Sequence, residues 1–170
     1  MKLLTLFRHA KSVQDPAFPV DRERPLAPRG LEDAPLMGKF MARAGATPQL
    51  IVTSPALRAR DTARLYARAA GYQGEIPVAE AIYLGSALDL MEVVLALTDK
   101  VDHVMLVGHN PGLEELAAAL IGAPPGASGL RLPTGAAAHF QLPVAEWART
   151  EAGQGLLLWL AHPRLVKKLA

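Results

Sequence analysis

The chain contains no cysteine among its 170 residues. This absence excludes a disulfide framework, a zinc site built from thiolates and a cysteine nucleophile. Any nucleophilic chemistry must therefore use another side chain. The histidines also lack the spacing, to one another or to a carboxylate, that is typical of metal ligands. We therefore expect neither a metal ion nor another cofactor.

Long hydrophobic runs are also missing. The apolar start of the chain, Leu3–Phe7, meets Arg8, His9 and Lys11 at once, so it is too short for a membrane span or the core of a signal peptide. No other stretch approaches eighteen uninterrupted apolar residues. We expect a cytoplasmic protein that has no membrane partner.

A large excess of charge of one sign is absent as well. Eighteen basic and sixteen acidic residues leave a formal charge of +2, and the basic residues are spread along the chain. This balance argues against nucleic acid as a partner. The length is enough to bury a sizeable core, and no internal repeat or linker divides it. We therefore predict a single domain over residues 1–170.

Short apolar runs alternate with segments of helical periodicity. We predict strands at residues 3–7, 50–52, 76–79, 104–107, 136–142 and 155–160. We predict helices at residues 30–44, from Ser54-Pro55 to about 70, at 88–97 and at 110–120. The intervening loops include residues 11–29 and 122–135, and His162 begins a polar tail. This alternation predicts a three-layer α/β fold with a mostly parallel central sheet flanked by helices.

Three polar segments each follow a buried strand of the predicted sheet. They are residues 6–12, 53–63 and 107–115. Because the carboxyl ends of parallel strands lie side by side, segments that are far apart in sequence can meet there. The meeting set would contain Arg8, His9, Arg58 and His109.

Two arginines and two histidines suit phosphoryl transfer. Negative charge spreads over three equatorial oxygens in the transition state, and a guanidinium offers a flat fork of donors that matches them. A neutral imidazole can attack phosphorus and form a covalent intermediate that water later opens. Nearby arginines should lower the pKa of that imidazole, since like charge disfavours imidazolium. The second histidine can donate a hydrogen bond to the phosphoryl oxygens.

Each segment alone also has an ordinary structural interpretation. Arg8-His9 could be a polar strand end, Ser54-Pro55 a helix start, and Arg58 a partner in a surface salt bridge. His109 could cap a strand-to-helix turn. The combination of the three segments, in this order, is what favours a functional site.

Together these segments resemble the histidine phosphatase superfamily, also called phosphoglycerate-mutase-like, and most closely its small SixA-like branch of phosphohistidine phosphatases. Arg8-His9-Ala10 is similar to the family's Arg-His-Gly, and Arg-His-Ala-Lys-Ser is common in SixA-like members. Residues 54–62 match Ser-Pro-x-x-Arg-Ala-x-x-Thr, and residues 108–112 match Gly-His-Asn-Pro-Gly in full. Arg24-Pro25-Leu26 followed by Gly30, and residues 132–135, also resemble the family.

The resemblance implies a phosphoglycerate-mutase-like fold and a role for each matching residue. His9 takes the place of the nucleophile, while Arg8, Arg58 and His109 take the places that bind the phosphoryl group. The register of the second motif puts the phosphate-binding arginine at Arg58 rather than Arg60. Ala10 replaces the family's glycine, which would reshape the backbone beside the phosphate.

Three further residues are candidates for the site. Lys11 and Asn110 could add hydrogen bonds to the substrate phosphate, although Lys11 could equally be a surface charge. In the wider family a glutamate soon after the third strand protonates the leaving group, and Glu80 lies at that place in the sequence. The alternative for Glu80 is a solvated carboxylate on a loop.

The expected function is that of a metal-independent phosphatase that works through a phosphohistidine intermediate. Its partner would be a phosphohistidine protein or a small phosphomonoester. One alternative is phosphoglycerate mutase-type transfer, for which the segment between Thr62 and His109 is short. Another is a catalytically weak phosphate-recognition module, which would not need the nucleophile.

Overall fold

The computed structural model describes residues 1–124 and 129–169, and this part of the chain contains five strands and five α-helices. The strands are β1 (Lys2–Arg8), β2 (Leu50–Thr53), β3 (His103–Gly108), β4 (Ala137–Leu142) and β5 (Leu156–Ala161). The helices are α1 (Pro28–Arg43), α2 (Leu57–Ala70), α3 (Ala87–Leu95), α4 (Gly112–Leu120) and α5 (Pro163–Leu169). Residues 125–128 of the predicted loop 122–135 lie outside the described residues.

The strands form one mixed sheet in the order β2-β3-β1-β4-β5. β3 is parallel to both β2 and β1, whereas β4 is antiparallel to both β1 and β5. The α/β class is therefore confirmed, but a mostly parallel sheet is not. Only a short 3-10 turn, Trp147–Arg149, lies between β4 and β5, and strands that lack a crossover helix pair antiparallel. The sequence pattern of alternating strands and helices does not reveal this reversal.

Two other local predictions differ from the structure. Residues 76–79 form no strand; Val78 makes only an isolated parallel bridge to Thr53. Pro77 has no backbone N–H to continue a ladder. The predicted polar tail instead contains the helix α5, which begins at Pro163, a residue suited to a first helical turn. Its Lys167 Nζ lies 2.9 Å from Oδ1 of the buried Asp33 on α1.

Helices cover both faces of the sheet because strand side chains alternate between the two faces. On one face, Leu4 and Leu6 of β1 pack in a cluster with residues of α3 and α4. On the other face, Phe7 packs in a second cluster with residues of α1, α2 and α5, including Met37 and Tyr66. This arrangement gives three layers and leaves the carboxyl ends of β1, β2 and β3 side by side.

A row of buried polar side chains crosses three strands. Thr5 Oγ1 lies 2.9 Å from His103 Nε2 and 2.8 Å from His139 Nδ1. The His139 ring stacks on Trp159 at 4.9 Å between centroids. Burial lowers the pKa of His103 to about 4, and burial also lowers the pKa of His139. Both rings are therefore neutral in the folded protein at neutral pH.

We predict that acid destabilises the fold well above the range in which carboxylates titrate. An unfolded histidine has a pKa of about 6.5. Between that pH and the lower pKa values of the folded protein, His103 and His139 bind protons in the unfolded chain but not in the folded one. The contribution of these two histidines to the free energy of unfolding should be complete above pH 6.5, and it should decline as the pH falls towards 4. For His103 the loss by pH 5 is on the order of 1 to 2 kcal/mol. Urea denaturation at pH 7 and pH 5 measures it.

A His103→Gln variant is the control for this titration. It keeps a polar group beside Thr5 but removes one of the protonations, so its loss between pH 7 and pH 5 should be smaller. Equal free energies of unfolding for the wild-type protein at both pH values would contradict the prediction.

Candidate active site

The register of the parallel strands brings the three polar segments together. Arg8 is paired with Gly108 between β1 and β3, and Thr53 is paired with Val107 between β2 and β3. The backbone N–H of His9 donates to the carbonyl of Gly108 at 3.0 Å. The next residues of all three segments therefore meet at one edge of the sheet.

His9 is held with one ring nitrogen committed and the other facing a guanidinium. Its Nδ1 lies 2.8 Å from the carbonyl oxygen of Ala10, so Nδ1 carries the proton and donates it. Its Nε2 is therefore unprotonated, and its lone pair accepts from Arg58 Nε–H at 3.4 Å. Burial, aided by the neighbouring His109, Arg58 and Arg8, lowers the pKa of His9 to about 3 against the opposing bond to Ala10. His9 is neutral, as a nucleophilic imidazole must be.

Arg58 is buried although it carries a permanent charge. It lies in the first turn of α2, and its side chain is only 2% exposed. Its Nη1 donates to the carbonyl of Asp21 at 2.6 Å, and its Nη2 donates to the Asp21 carboxylate at 2.9 Å. Thr62 Oγ1 donates to the Arg58 carbonyl at 2.6 Å and accepts from the N–H of Ala10 at 3.0 Å. Thr62 thus ties the first turn of α2 to the segment that carries His9.

His109 lies beside His9, with 5.0 Å between ring centroids. Its Nε2 is 2.8 Å from Ser54 Oγ, and its Nδ1 is 3.3 Å from Arg58 Nη2. Burial, with the charge of Arg58 as the next contribution, lowers the pKa of His109 to about 4. His109 is therefore neutral and carries a single ring proton near neutral pH.

Arg8 and Asn110 are oriented by one carbonyl. The Leu132 oxygen accepts from Arg8 Nη1 at 2.8 Å and from Asn110 Nδ2 at 2.9 Å. Arg8 Nε is buried and has no hydrogen-bond partner in the described ranges. The antiparallel half of the sheet thus contributes to the site, because the segment before β4 carries Leu132.

These side chains line a cavity of about 270 Å³. Of the residues that the sequence analysis selected, Arg8, His9, Lys11, Arg58, His109 and Asn110 line this cavity. Ser12, Gln14, Asp21 and Arg24 also line it. The walls are therefore strongly cationic, with one carboxylate.

Glu80 is the one selected residue that does not line the cavity. It lies in a 3-10 turn, Glu80–Ile82, and its side chain is 73% exposed. Both of its carboxylate oxygens accept from Arg22 Nη2 at 3.0 Å. Its assignment as general acid stays a prediction.

Asp21 lines the cavity and accepts from Arg58, and the sequence analysis did not select it. Burial alone would raise the pKa of this carboxyl, but hydrogen bonds from Tyr83, Arg58 and Arg24 outweigh it and hold the pKa well below its usual range. Asp21 is therefore an anion that faces Arg58. The signal available in the sequence was the nearby Arg24-Pro25-Leu26 motif, together with the need of a buried guanidinium for a counter-charge.

The described ranges hold no group of three or more histidine, aspartate or glutamate side chains arranged to bind a metal ion. They also contain no helix long and apolar enough to cross a membrane. The positive charge at the cavity comes from Arg8, Arg24, Arg58 and Lys11.

Arg58→Lys should lower kcat for p-nitrophenyl phosphate by roughly one to three orders of magnitude. Lysine keeps the charge but cannot contact Asp21, His9 and His109 with one planar fork. Arg60→Lys is the matched control, since Arg60 is on the same helix but lines a separate pocket with Val20 and Leu57. We expect a mild effect there. Equal losses at both positions would show that the register is wrongly assigned.

Comparison with known protein families and sequences agrees with the motifs. The sequence model of the histidine phosphatase superfamily (branch 1) matches residues 4–81. An uncharacterised protein of Mycobacterium tuberculosis is 31% identical over 163 residues, which is 92% of this chain and 99% of that protein. An uncharacterised protein of Mycobacterium leprae is 30% identical over 118 residues, which is 68% of this chain and 71% of that protein.

Solved structures show the same fold. A candidate phosphohistidine phosphatase SixA from Agrobacterium tumefaciens has a TM-score of 0.79 and 27% identity, covering 95% of this chain and 98% of that one. The protein histidine phosphatase SixA, solved with tungstate, has a TM-score of 0.81 and 23% identity, covering 96% of this chain and 99% of that one. The resemblance carried by the three motifs is thereby confirmed, and this chain belongs to the histidine phosphatase superfamily.

Proposed function

We propose that the protein is a metal-independent phosphatase that carries the phosphoryl group on His9. The observation that supports this most directly is the state of the His9 ring. Its Nδ1–H is committed to Ala10 and its neutral Nε2 lies beside Arg58 in a cationic cavity. A lone pair fixed in this way is ready to attack an electrophile that the surrounding cations hold.

The reaction would proceed in two displacements. His9 Nε2 attacks phosphorus, a P–N bond forms, and the bond from phosphorus to the leaving group breaks. Arg8, Arg58 and His109 hold the phosphoryl oxygens, as the family resemblance implies. Water then attacks phosphorus, the P–N bond breaks, and inorganic phosphate leaves the neutral imidazole.

Arg58 can hold a phosphoryl oxygen without releasing Asp21. Each terminal nitrogen of a guanidinium carries two protons, and one proton on each is used by Asp21. Of the remaining protons, those on Nη2 and Nε face His109 Nδ1 and His9 Nε2, and a phosphoryl oxygen that enters between these groups would accept them. Lys11 and Asn110 line the same cavity, and we assign them further contacts to the phosphate or to the group that carries it.

The supply of protons favours a particular class of substrate. The carboxyl that lines the cavity, Asp21, is held as an anion, and Glu80 is paired with Arg22 outside the lining. A phosphohistidine needs little help from an enzyme acid, because its leaving imidazole can be protonated before the bond breaks. We therefore propose phosphohistidine proteins as the preferred substrates and small phosphomonoesters as slower ones. The structural likeness to SixA supports the same choice.

Replacing His9 by alanine should abolish hydrolysis of p-nitrophenyl phosphate while leaving the fold intact. Loss of the nucleophile should lower kcat by roughly a thousandfold or more, since the remaining arginines can bind phosphate but cannot form the intermediate. His162→Ala is the matched control, because His162 lies outside the cavity lining. Circular dichroism checks the fold. Near-normal turnover by the His9 variant would refute the proposed mechanism, and absence of turnover by the wild-type protein would favour a phosphate-binding module.

Glu80→Gln tests the remaining assignment. If Glu80 leaves Arg22 to protonate the leaving group, the variant should slow hydrolysis of an alkyl phosphate far more than that of p-nitrophenyl phosphate, whose leaving group departs unprotonated. The basic limb of the pH–rate profile for the alkyl substrate should also disappear. Arg22→Gln, which frees Glu80 from its partner, is the comparison variant. Equal rates for Glu80→Gln and wild type on both substrates would show that Glu80 takes no part.

A further inference from the structure

Ser54 carries a buried hydroxyl beside His109, a residue that lines the cavity. Its neighbours leave open whether this hydroxyl donates to His109 or accepts from it. Its side chain is inaccessible to solvent. Its Oγ accepts from the N–H of Ala56 at 3.3 Å and lies 2.8 Å from His109 Nε2. In the described part of the chain, His109 Nε2 is therefore the one acceptor bonded to Oγ that could receive the hydroxyl proton.

His109 has two ways to place its single ring proton. In the first, Nε2–H donates to Ser54 and Nδ1 accepts from Arg58 Nη2, so the serine proton has no acceptor. In the second, Nδ1 carries the proton and the serine hydroxyl donates to Nε2. Ser54 is then fully satisfied, but the Nδ1–H and an N–H of Arg58 oppose each other across 3.3 Å. With protein groups alone as partners, neither arrangement satisfies both Ser54 and the facing pair of His109 and Arg58.

A phosphoryl oxygen that contacts both His109 and Arg58 removes this conflict. The oxygen accepts from Arg58 Nη2 and from Nδ1–H at the same time, and Ser54 donates to Nε2. In the empty cavity the first arrangement is the better one, because two donors that face each other repel and one of them belongs to a cation. A serine hydroxyl proton without an acceptor costs less free energy than this repulsion.

We propose that Ser54 is a positioning residue that allows His109 to change tautomer when the phosphoryl group enters. The ring proton is on Nε2 in the empty site and on Nδ1 in the loaded site, and the serine hydroxyl turns from acceptor to donor. The ring loses the proton on Nε2 and gains one on Nδ1 by exchange with solvent, so the imidazole carries one proton in both states and Ser54 keeps its own. The inference rests on the proposed function, since it requires a phosphoryl oxygen beside His109.

The test uses the wild-type protein labelled with [15N]histidine and orthovanadate as a tetrahedral oxyanion. Long-range 1H–15N spectra show which ring nitrogen carries the proton in each histidine. We expect His109 to be protonated on Nε2 without vanadate and on Nδ1 at saturation. The His9 signals report binding independently. If vanadate shifts His9 but the same nitrogen of His109 is protonated in both states, this inference is wrong and the proposed function stands. If vanadate leaves His9 unchanged, both are wrong.

Two variants separate positioning from a merely structural contribution of Ser54. Ser54→Ala removes the donor to Nε2, so vanadate should bind about tenfold more weakly, as for a lost hydrogen bond in a charged site, and His109 should no longer change tautomer. Thr53→Val is the matched control, because it removes the neighbouring buried hydroxyl, which donates to the Ser54 carbonyl at 3.2 Å. It should keep both the affinity and the change of tautomer. Unchanged affinity and tautomer behaviour in Ser54→Ala would overturn the inference.

Discussion

The burial of the Arg58 guanidinium beneath Asp21 is the interaction on which the site depends. One planar cation contacts the nucleophile candidate His9, the second histidine His109, and both the carbonyl and the carboxylate of Asp21. A buried charge of this kind requires a counter-charge and satisfied donors. Its presence contributes, after burial itself, to the neutral state of both imidazoles. The loop that carries Asp21 is therefore part of the site and not only its cover.

The sheet makes this convergence possible through both of its halves. The parallel pairing of β1, β3 and β2 aligns three strand ends, so that His9, Ser54 and His109 are neighbours although the chain separates them widely. The antiparallel half returns the chain to the same edge. There the carbonyl of Leu132 orients Arg8 and Asn110.

The sequence predicted the parts of the site that local pattern encodes. Polar segments directly after buried strands indicated that Arg8, His9, Arg58 and His109 would meet. The order of the strands in the sheet could not be predicted, because neither hydrophobic periodicity nor turn residues determine it. Asp21 was missed because its pairing with Arg58 spans 37 residues, and the nearby Arg24-Pro25-Leu26 motif does not by itself indicate that pairing. Ser54 was taken for a helix start and for the first residue of the family motif, but it was given no role of its own, since a hydroxyl before proline ordinarily begins a helix. The helix α5 was missed because a helix of seven residues that begins at a proline shows too little periodicity.

The central claim is that His9 itself carries the phosphoryl group, and trapping that intermediate tests it most directly. The wild-type protein would be mixed with a 32P-labelled phosphoprotein substrate, quenched within milliseconds into alkali, where phosphohistidine is stable, and digested for peptide mapping. The account predicts acid-labile label on the peptide that contains His9, in an amount approaching one phosphoryl group per active site when hydrolysis of the intermediate limits turnover. Label on another residue of this chain, or release of phosphate with no label on any of its peptides under those conditions, would contradict the central claim.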